Sequence, residues 1–424
     1  MKHRHVLLSL ILVVAQPVAH AAEPTPAEPT PAEQKIAQAR ATIEKNPQRP
    51  EGYAGLAMAL AQRARESSDT TFYAAAEKAI AQSLERAPGN LEARRAGIWV
   101  MLGQHAFADA LKAAQALSRE VPDDLQVYAF LTDAHIELGH YDEAEKSAQW
   151  LLNVRPGNIP GLTRAAYLRE LFGDIDGSFD LMQQAYQRTP PTDREDRAWL
   201  LTHMAHLHVL NAAVDHADAL TAEALRIFPG YHYALAQQAQ VRQAQGRPSE
   251  ALAWLRRHVE AAPHPENFFY LGEALARQNR MREARIVFAR FAAAARAESA
   301  SWDNANRELI QYYADHARQP AEALKLAEFE IARRQDVFTL DAYAWALYRN
   351  AQFRQADAVM ARALATGVRD PRLHYHAGMI ALKRGARPRA RAHLQTALRY
   401  APWAAFAADA RAALDHAAPP RQPA

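Results

Sequence analysis

Residues 263–297 read PHPENFFYLGEALARQNRMREARIVFARFAAAARA. Phe268, Leu271, Gly272 and Leu275 put a large, Leu, small, large pattern on one helix, and Ala284 and Phe288 put a small and a large residue on the next. Small residues facing each other let two helix backbones approach closely, and the large ones beside them fill the remaining space. The unit is not alone. Prolines end successive helices at Pro88, Pro122, Pro156, Pro190, Pro229 and Pro263, with spacings of 34, 34, 34, 39 and 34. The small residues recur with them: Ala57, Ala96, Ala166, Ala205, Ala239, Gly272, Ala344 and Gly378 on first helices, and Ala76, Ala110, Ala144, Ala217, Ala251, Ala284, Ala356 and Ala390 on second ones. One such pair has too little apolar surface to be stable by itself, so neighbours must stack into a continuous core.

Composition agrees. Only 16 glycines serve 424 residues, too few for many hairpins or phosphate loops, while 49% hydrophobic and 23% charged residues describe a water-soluble, ordered chain. The chain has no cysteine, which excludes a disulfide framework, a thiolate metal site, a cysteine nucleophile and a lipid-modified N-terminal cysteine.

A fixed 34-residue period of helix pairs resembles the tetratricopeptide-repeat family. The resemblance is carried by the copy at Phe268–Phe288 and by others: Tyr128, Leu131, Gly139, Tyr141 and Ala144; Gly246, Ala251 and Pro263; Ala344, Phe353 and Ala356; Gly378, Gly385, Ala390 and Pro402. It implies an all-α solenoid of about ten helix pairs wound as a right-handed superhelix. The repeats fall near 50–88, 89–122, 123–156, 157–190, 191–229, 230–263, 264–297, 298–336, 337–370 and 371–402, with single capping helices over 32–45 and 404–417. Polar stretches at Arg63–Thr71 and Pro190–Asp196 read as loops, and the eighth repeat, with Trp302 and Gln319-Pro320, is the most degenerate.

The N-terminus has a separate character. Basic residues precede the apolar run Val6–Ala15, and Ala19-His20-Ala21 supplies small residues at the spacing of a signal-peptidase site, so 1–21 reads as a cleaved secretory signal. Residues 22–31 repeat E-P-T-P-A and read as a stiff, proline-rich linker, and 418–424 as a disordered tail. The expected location is the periplasm, with release into the medium as the alternative, and no integral membrane span remains after cleavage. The net charge of +3 includes Lys2 and Arg4, so the remainder is nearly neutral and no nucleic-acid partner is expected.

Nothing in the chain has the spacing of a known reaction. G-x-S-x-G, H-E-x-x-H, G-x-x-x-x-G-K-[ST], G-x-G-x-x-G and D-x-D-x-D-G are all absent. His203, His206 and His208 crowd one helix, but His208 is rotated away from His203 and the three do not converge on one metal. Residues two apart, such as His374 and His376, do not share a helix face. Asp174 and Asp176 fall in a turn, where capping is the expected role. No enzyme activity, cofactor or metal is expected.

The resemblance further implies that first helices line a concave groove holding an extended peptide or a partner's helix. Carried over repeat by repeat, the groove positions are Tyr167, Trp199, His206, Tyr233, Gln240, Phe269, Glu273, Tyr312, Phe338, Asp341, Trp345, Tyr348 and Tyr375. A register error of one residue would turn several of these aromatics inward. The family's carboxylate clamp uses groove Lys and Asn, and only Asn90 and Lys383 are of that kind here. The expected function is a non-catalytic protein–protein interaction scaffold of the bacterial cell envelope, with a protein or peptide partner in the groove. The alternative is a glycan-binding accessory protein of polysaccharide or cell-wall export, for which an aromatic groove is equally suited.

Overall fold

The computed structural model describes residues 29–417. The expected signal peptide at 1–21, residues 22–28 of the linker and the tail at 418–424 lie outside the described residues. Thr30 and Pro31 belong to the first helix: the Thr30 hydroxyl accepts from Glu33 N while the Glu33 carboxylate accepts from Thr30 N, a reciprocal cap.

Twenty-two α-helices follow among the described residues. A single helix α1 (Pro31–Lys45) precedes the pairs α2 (Pro50–Ser67) and α3 (Thr71–Arg86), α4 (Leu91–Gly103) and α5 (Phe107–Glu120), α6 (Leu125–Leu138) and α7 (Tyr141–Val154), and α8 (Ile159–Leu171) and α9 (Ile175–Arg188). Next come α10 (Arg194–Leu210) and α11 (Val214–Ile227), α12 (His232–Ala244) and α13 (Pro248–Ala261), and α14 (Pro265–Arg277) and α15 (Met281–Glu298). The last pairs are α16 (Asn306–Gln311) and α17 (Pro320–Ile331), α18 (Val337–Arg349) and α19 (Phe353–Leu364), and α20 (Pro371–Lys383) and α21 (Arg387–Tyr400), with α22 (Ala407–Ala417) alone at the end. This is an all-α solenoid of the tetratricopeptide kind.

Local chemistry explains where first helices begin. Asn90, Asp124 and Asn158 stand 34 residues apart, as do Asp336 and Asp370, and each side chain accepts an N–H of the first turn: Ala93 at 2.9 Å, Val127 at 3.0 Å, Gly161 at 2.8 Å, Thr339 at 3.1 Å and Leu373 at 2.7 Å. Within pairs the small residues lie at the contact. Ala57, Ala96, Ala166, Ala205, Ala344, Ala76, Ala110, Ala144, Ala217, Ala356 and Ala390 are each 0% exposed. A Cβ on Gly272 would lie 2.6 Å from Phe288 Cε1, so α14 and α15 reach this separation only with glycine there.

Three local readings are corrected. Arg63–Ser67 is helix rather than loop, because α2 runs an extra turn to Ser67 and its side chains find partners: Ala32 N donates to the buried Glu66 carboxylate at 3.0 Å. Arg194–Asp196 likewise opens α10, with Glu195 and Asp196 as acidic residues of its first turn. Ahead of the eighth pair α15 overruns to Glu298, and within the pair the short α16 continues as a π-helical turn over Tyr312–His316.

The array closes on itself. His264 reaches the Ser68 carbonyl and Val337 N donates to Tyr141 Oη at 2.9 Å, and in both contacts the partners are 196 residues apart. Gln335 N approaches the Leu138 carbonyl at 3.4 Å, and Arg65 pairs with Asp196 at 2.5 Å and with Glu195. Segments 196 residues apart, just under six repeats of 34, therefore touch, whereas the long α2 reaches α10 only 130 residues on. The principal core cluster spans the seam: Ile136, Leu168 and Leu171 of the first turn pack with Val337, Leu340 and Val368 of the second.

Candidate functional site

The concave face holds a partly open cleft of about 700 Å³. The first helices α10, α12, α14, α16, α18 and α20 supply most of its wall, and the 401–406 connection between α21 and α22 crosses one end. Of the expected groove residues, Trp199, His206, Tyr233, Gln240, Glu273, Phe338 and Asp341 line this cavity.

The other six do not, and their packing says why. Phe269 is 0% exposed, with its ring 6.1 Å from Phe288 and 5.3 Å from Phe291. Tyr312, carried by the π turn, packs on the same two rings. Trp345 stacks between Tyr348 at 4.7 Å and His376 at 4.0 Å and donates Nε1–H to Asp315. Tyr375 stacks on Phe406 at 4.9 Å, and Tyr167 meets His203 edge-on at 6.2 Å. Around α18 and α20 the aromatics thus fill the interior as core. Helical register accounts for Phe269: a residue advances about 100° around the helix, so its neighbour Tyr270, 41% exposed, takes the place on the wall. The register carried over repeat by repeat is one residue off at this position.

Most charged groups on the wall find partners within the fold. Glu273 binds Arg372 at 3.1 Å and lies 3.8 Å from His316; burial alone would raise its pKa, but the Arg372 cation and the His316 contact hold it at about 2. Tyr270 Oη donates to Glu308 at 3.0 Å, His376 to Asp341 at 2.9 Å, and Arg277 to the Trp403 carbonyl at 3.0 Å. Arg372 also reaches Gln311. Glu170, behind the wall, takes His203 Nε2 at 2.7 Å and His206 Nε2 at 3.2 Å. Burial opposes ionisation of that cluster, yet the histidines hold Glu170 well below the usual carboxylate range, and Glu170 in turn raises His206. Burial, helped by the nearby Glu308 charge, lifts Glu266 to about 7.

Arg307, Glu308, Gln311 and Arg372 carried no signal in the sequence, since Arg372 and Glu273 are 99 residues apart. His208 turns away from the pair toward Phe179 and His216. Among the described residues no group of three or more His, Asp or Glu side chains is arranged to hold a metal ion. His374 faces His393 while His376 faces Asp341, Asp174 caps α9 through Gly177 N, and Asn90 is committed to the α4 cap.

One buried atom of a wall residue lacks a partner. Gln237 on α12 is 7% exposed, and its Nε2 makes no hydrogen bond. An amide buried in that state typically costs about 1–3 kcal/mol.

No family model matches the chain, and no curated protein matches it. Solved structures do. A human IFIT1 dimer with PPP-AAAA is 13% identical, covering 89% of this chain and 92% of that one with a TM-score of 0.48. Yeast Tom70 is 12% identical over 90% and 91% with a TM-score of 0.41, and PilW, a type IV pilus biogenesis factor, is 13% identical over 48% and 91% with a TM-score of 0.40.

Proposed function

We propose that the chain is a non-catalytic interaction scaffold of the bacterial cell envelope that takes an extended segment of a protein partner into its cleft. The observation that carries this reading is the cavity wall itself, where six first helices converge and Tyr233 and Tyr270 are 43% and 41% exposed. Half-exposed tyrosines offer large contact area at small entropic cost and a hydroxyl for backbone groups. A volume of about 700 Å³ is that of a ligand site and suits a strand, whereas a helix with side chains is about 10 Å across. The envelope assignment rests on the A-H-A cleavage pattern read in the sequence.

The test is a photo-crosslinking residue placed at Tyr270 of the full chain in living cells, with the outward-facing Lys146 as control. One protein adduct at 270 that is absent at 146 is expected. No adduct at 270, or the same adducts at both positions, would sink the reading. A mature mass beginning after Ala21, in the periplasmic fraction, is the accompanying expectation. The second reading, a glycan-binding accessory role, draws on the same exposed rings beside paired carboxylates; quenching of tryptophan fluorescence by envelope polysaccharide, lost in Trp199→Phe, would favour it.

A further inference from the structure

The charges on the outer surface are sorted by sign along the array. Every second helix from α5 to α17 carries an acidic residue in its first turn, from Asp109 to Glu322. The partial positive charge of a helix N-terminus favours that placement. The last two second helices break the pattern: α19 and α21 have no acid in their first turns, and Arg354, Arg387 and Arg389 stand there instead. Cations at a helix N-terminus oppose the dipole, so local helix chemistry does not account for them. Between Arg372 and Asp409 the chain has Lys383, Arg384, Arg387, Arg389, Arg391 and Arg399 and no acidic residue. Asp357 takes Arg389 at 2.7 Å and lies 3.8 Å from Arg384. Arg354, Arg387 and Arg391 are exposed, and their side chains form no ion pair or hydrogen bond among the described residues. The opposite sign gathers in residues 120–223, with 18 acidic against seven basic side chains. On the outer helices α9 and α11, Asp176, Asp180 and Asp215 are exposed and make no ion pair among the described residues; Asp176 accepts from Asn211 Nδ2 at 2.8 Å. Arg169, at the same edge, is bound to Asp174 at 2.8 Å.

The two surfaces match in layout. Each presents three such charges on two successive second helices, and in each the pair on one helix, Arg387 and Arg391 or Asp176 and Asp180, is four residues apart and shares a face. No large apolar side chain is exposed on α19, α21 or α22 among the described residues, so this end has nothing to insert into a lipid interface, and the carboxylates of a protein are the better fit. We propose that the basic α19–α21 end of one copy docks on the acidic α9–α11 surface of a second copy. Because the two surfaces differ, the contact is head-to-tail, and its repetition builds a ring or an open chain of copies. None of these six residues lines the cleft, so the proposal stands apart from the reading of the cleft as a partner site.

The experiment is sedimentation velocity of the full-length protein over a concentration series, at about 0.01 M and about 1 M salt, where the screening length is about 30 Å and about 3 Å. Low salt should give an average mass that climbs with concentration past twice the monomer, and high salt should give the monomer. Arg387→Glu/Arg391→Glu and Asp180→Lys/Asp215→Lys should each weaken association about tenfold or more. Mixing the two variants should restore it, since each supplies the surface that the other lacks. The substituted side chains are all exposed, and far-ultraviolet circular dichroism of each variant checks that the fold is kept. A monomer at low salt, association indifferent to both variants, or no recovery on mixing would each overturn the proposal. Retention of the monomer on phosphatidylglycerol vesicles without self-association would overturn it in favour of an anionic lipid surface.

Discussion

Distant segments of the array pack against one another beside the cleft, and two glycines test that contact directly. Gly139 and Gly173 have φ of 79° and 80°, and a Cβ on either would run into a backbone carbonyl of the next turn, Gln335 O for the first and Gly367 O for the second. Gly246 and Gly385 have the same left-handed backbone, φ 72° and 76°, but a Cβ there meets nothing within 4 Å. Alanine at all four sites therefore incurs the same conformational penalty, about 1 kcal/mol, and only the first two add a steric term. The obstacle at Gly139 and Gly173 is backbone rather than a flexible side chain, so relief requires the turns to separate; overpacking of this kind costs about 1–3 kcal/mol. The expected losses are about 2–4 kcal/mol for Gly139→Ala and Gly173→Ala against about 1 kcal/mol for Gly246→Ala and Gly385→Ala. Urea titration followed by far-ultraviolet circular dichroism measures the difference, and comparison between matched sites reduces the dependence on two-state unfolding, which repeat arrays often violate. Small-angle scattering supplies an independent readout: the radius of gyration should rise for the first two variants and not for the controls. Losses equal within about 0.5 kcal/mol at all four sites, with unchanged scattering, would refute the contact between these segments.

Three further outcomes follow from buried charged and titratable groups. Glu195 is 1% exposed and held by Arg65 and by Tyr231 Oη at 2.6 Å, so Arg65→Met strands a buried carboxylate and should cost about 3 kcal/mol, partly recovered by Glu195→Gln; a loss under about 1 kcal/mol in denaturant titrations would show that the pair does not hold the turns. His232 and His258 are both buried, which lowers each imidazole to about 4, against 6.5 in the unfolded chain. Because the unfolded chain takes up these protons first, their stability is present above pH 6.5 and lost as pH falls toward 4, at most about 3 kcal/mol each. His232→Gln/His258→Gln should flatten the acid limb of a stability-against-pH curve, and an unchanged limb would contradict the assignment. Glu266 has the opposite sign: raised to about 7 from 4.5, its contribution is full below pH 4.5 and lost as pH climbs through 7. Glu266→Gln should therefore gain stability at pH 8 relative to pH 5, measured by the same titration.

The residues that made the fold legible act on near neighbours. The prolines at 34-residue spacing, the alanines at each helix contact and Gly272 beneath Phe288 all describe packing within one pair or between adjacent pairs, and a linear array repeats that packing along the chain. Groove positions carried over from the family resemblance include Trp199, Tyr233 and Glu273, which line the cleft. Local reading failed where distant segments meet. Arg63–Ser67 reads as a polar insertion until Arg65 is seen against Glu195 and Asp196, and Phe269 reads as an anchor until its ring is found between α14 and α15. The pairing of Arg372 with Glu273 had no local trace at all.

What the sequence alone determined is therefore the repeating unit, its period and its all-helical class, because these follow from spacing and side-chain size within about 34 residues. What only the tertiary structure decided is that segments 196 residues apart meet and that the concave face becomes a partly open cleft. Closure is the sum of small rotations over nearly six pairs, altered by one overlong α2, one overlong α15 and one π turn. No single pair carries that sum in its residues, so which aromatics line the cavity and which fill the core is settled only when the second turn lands on the first.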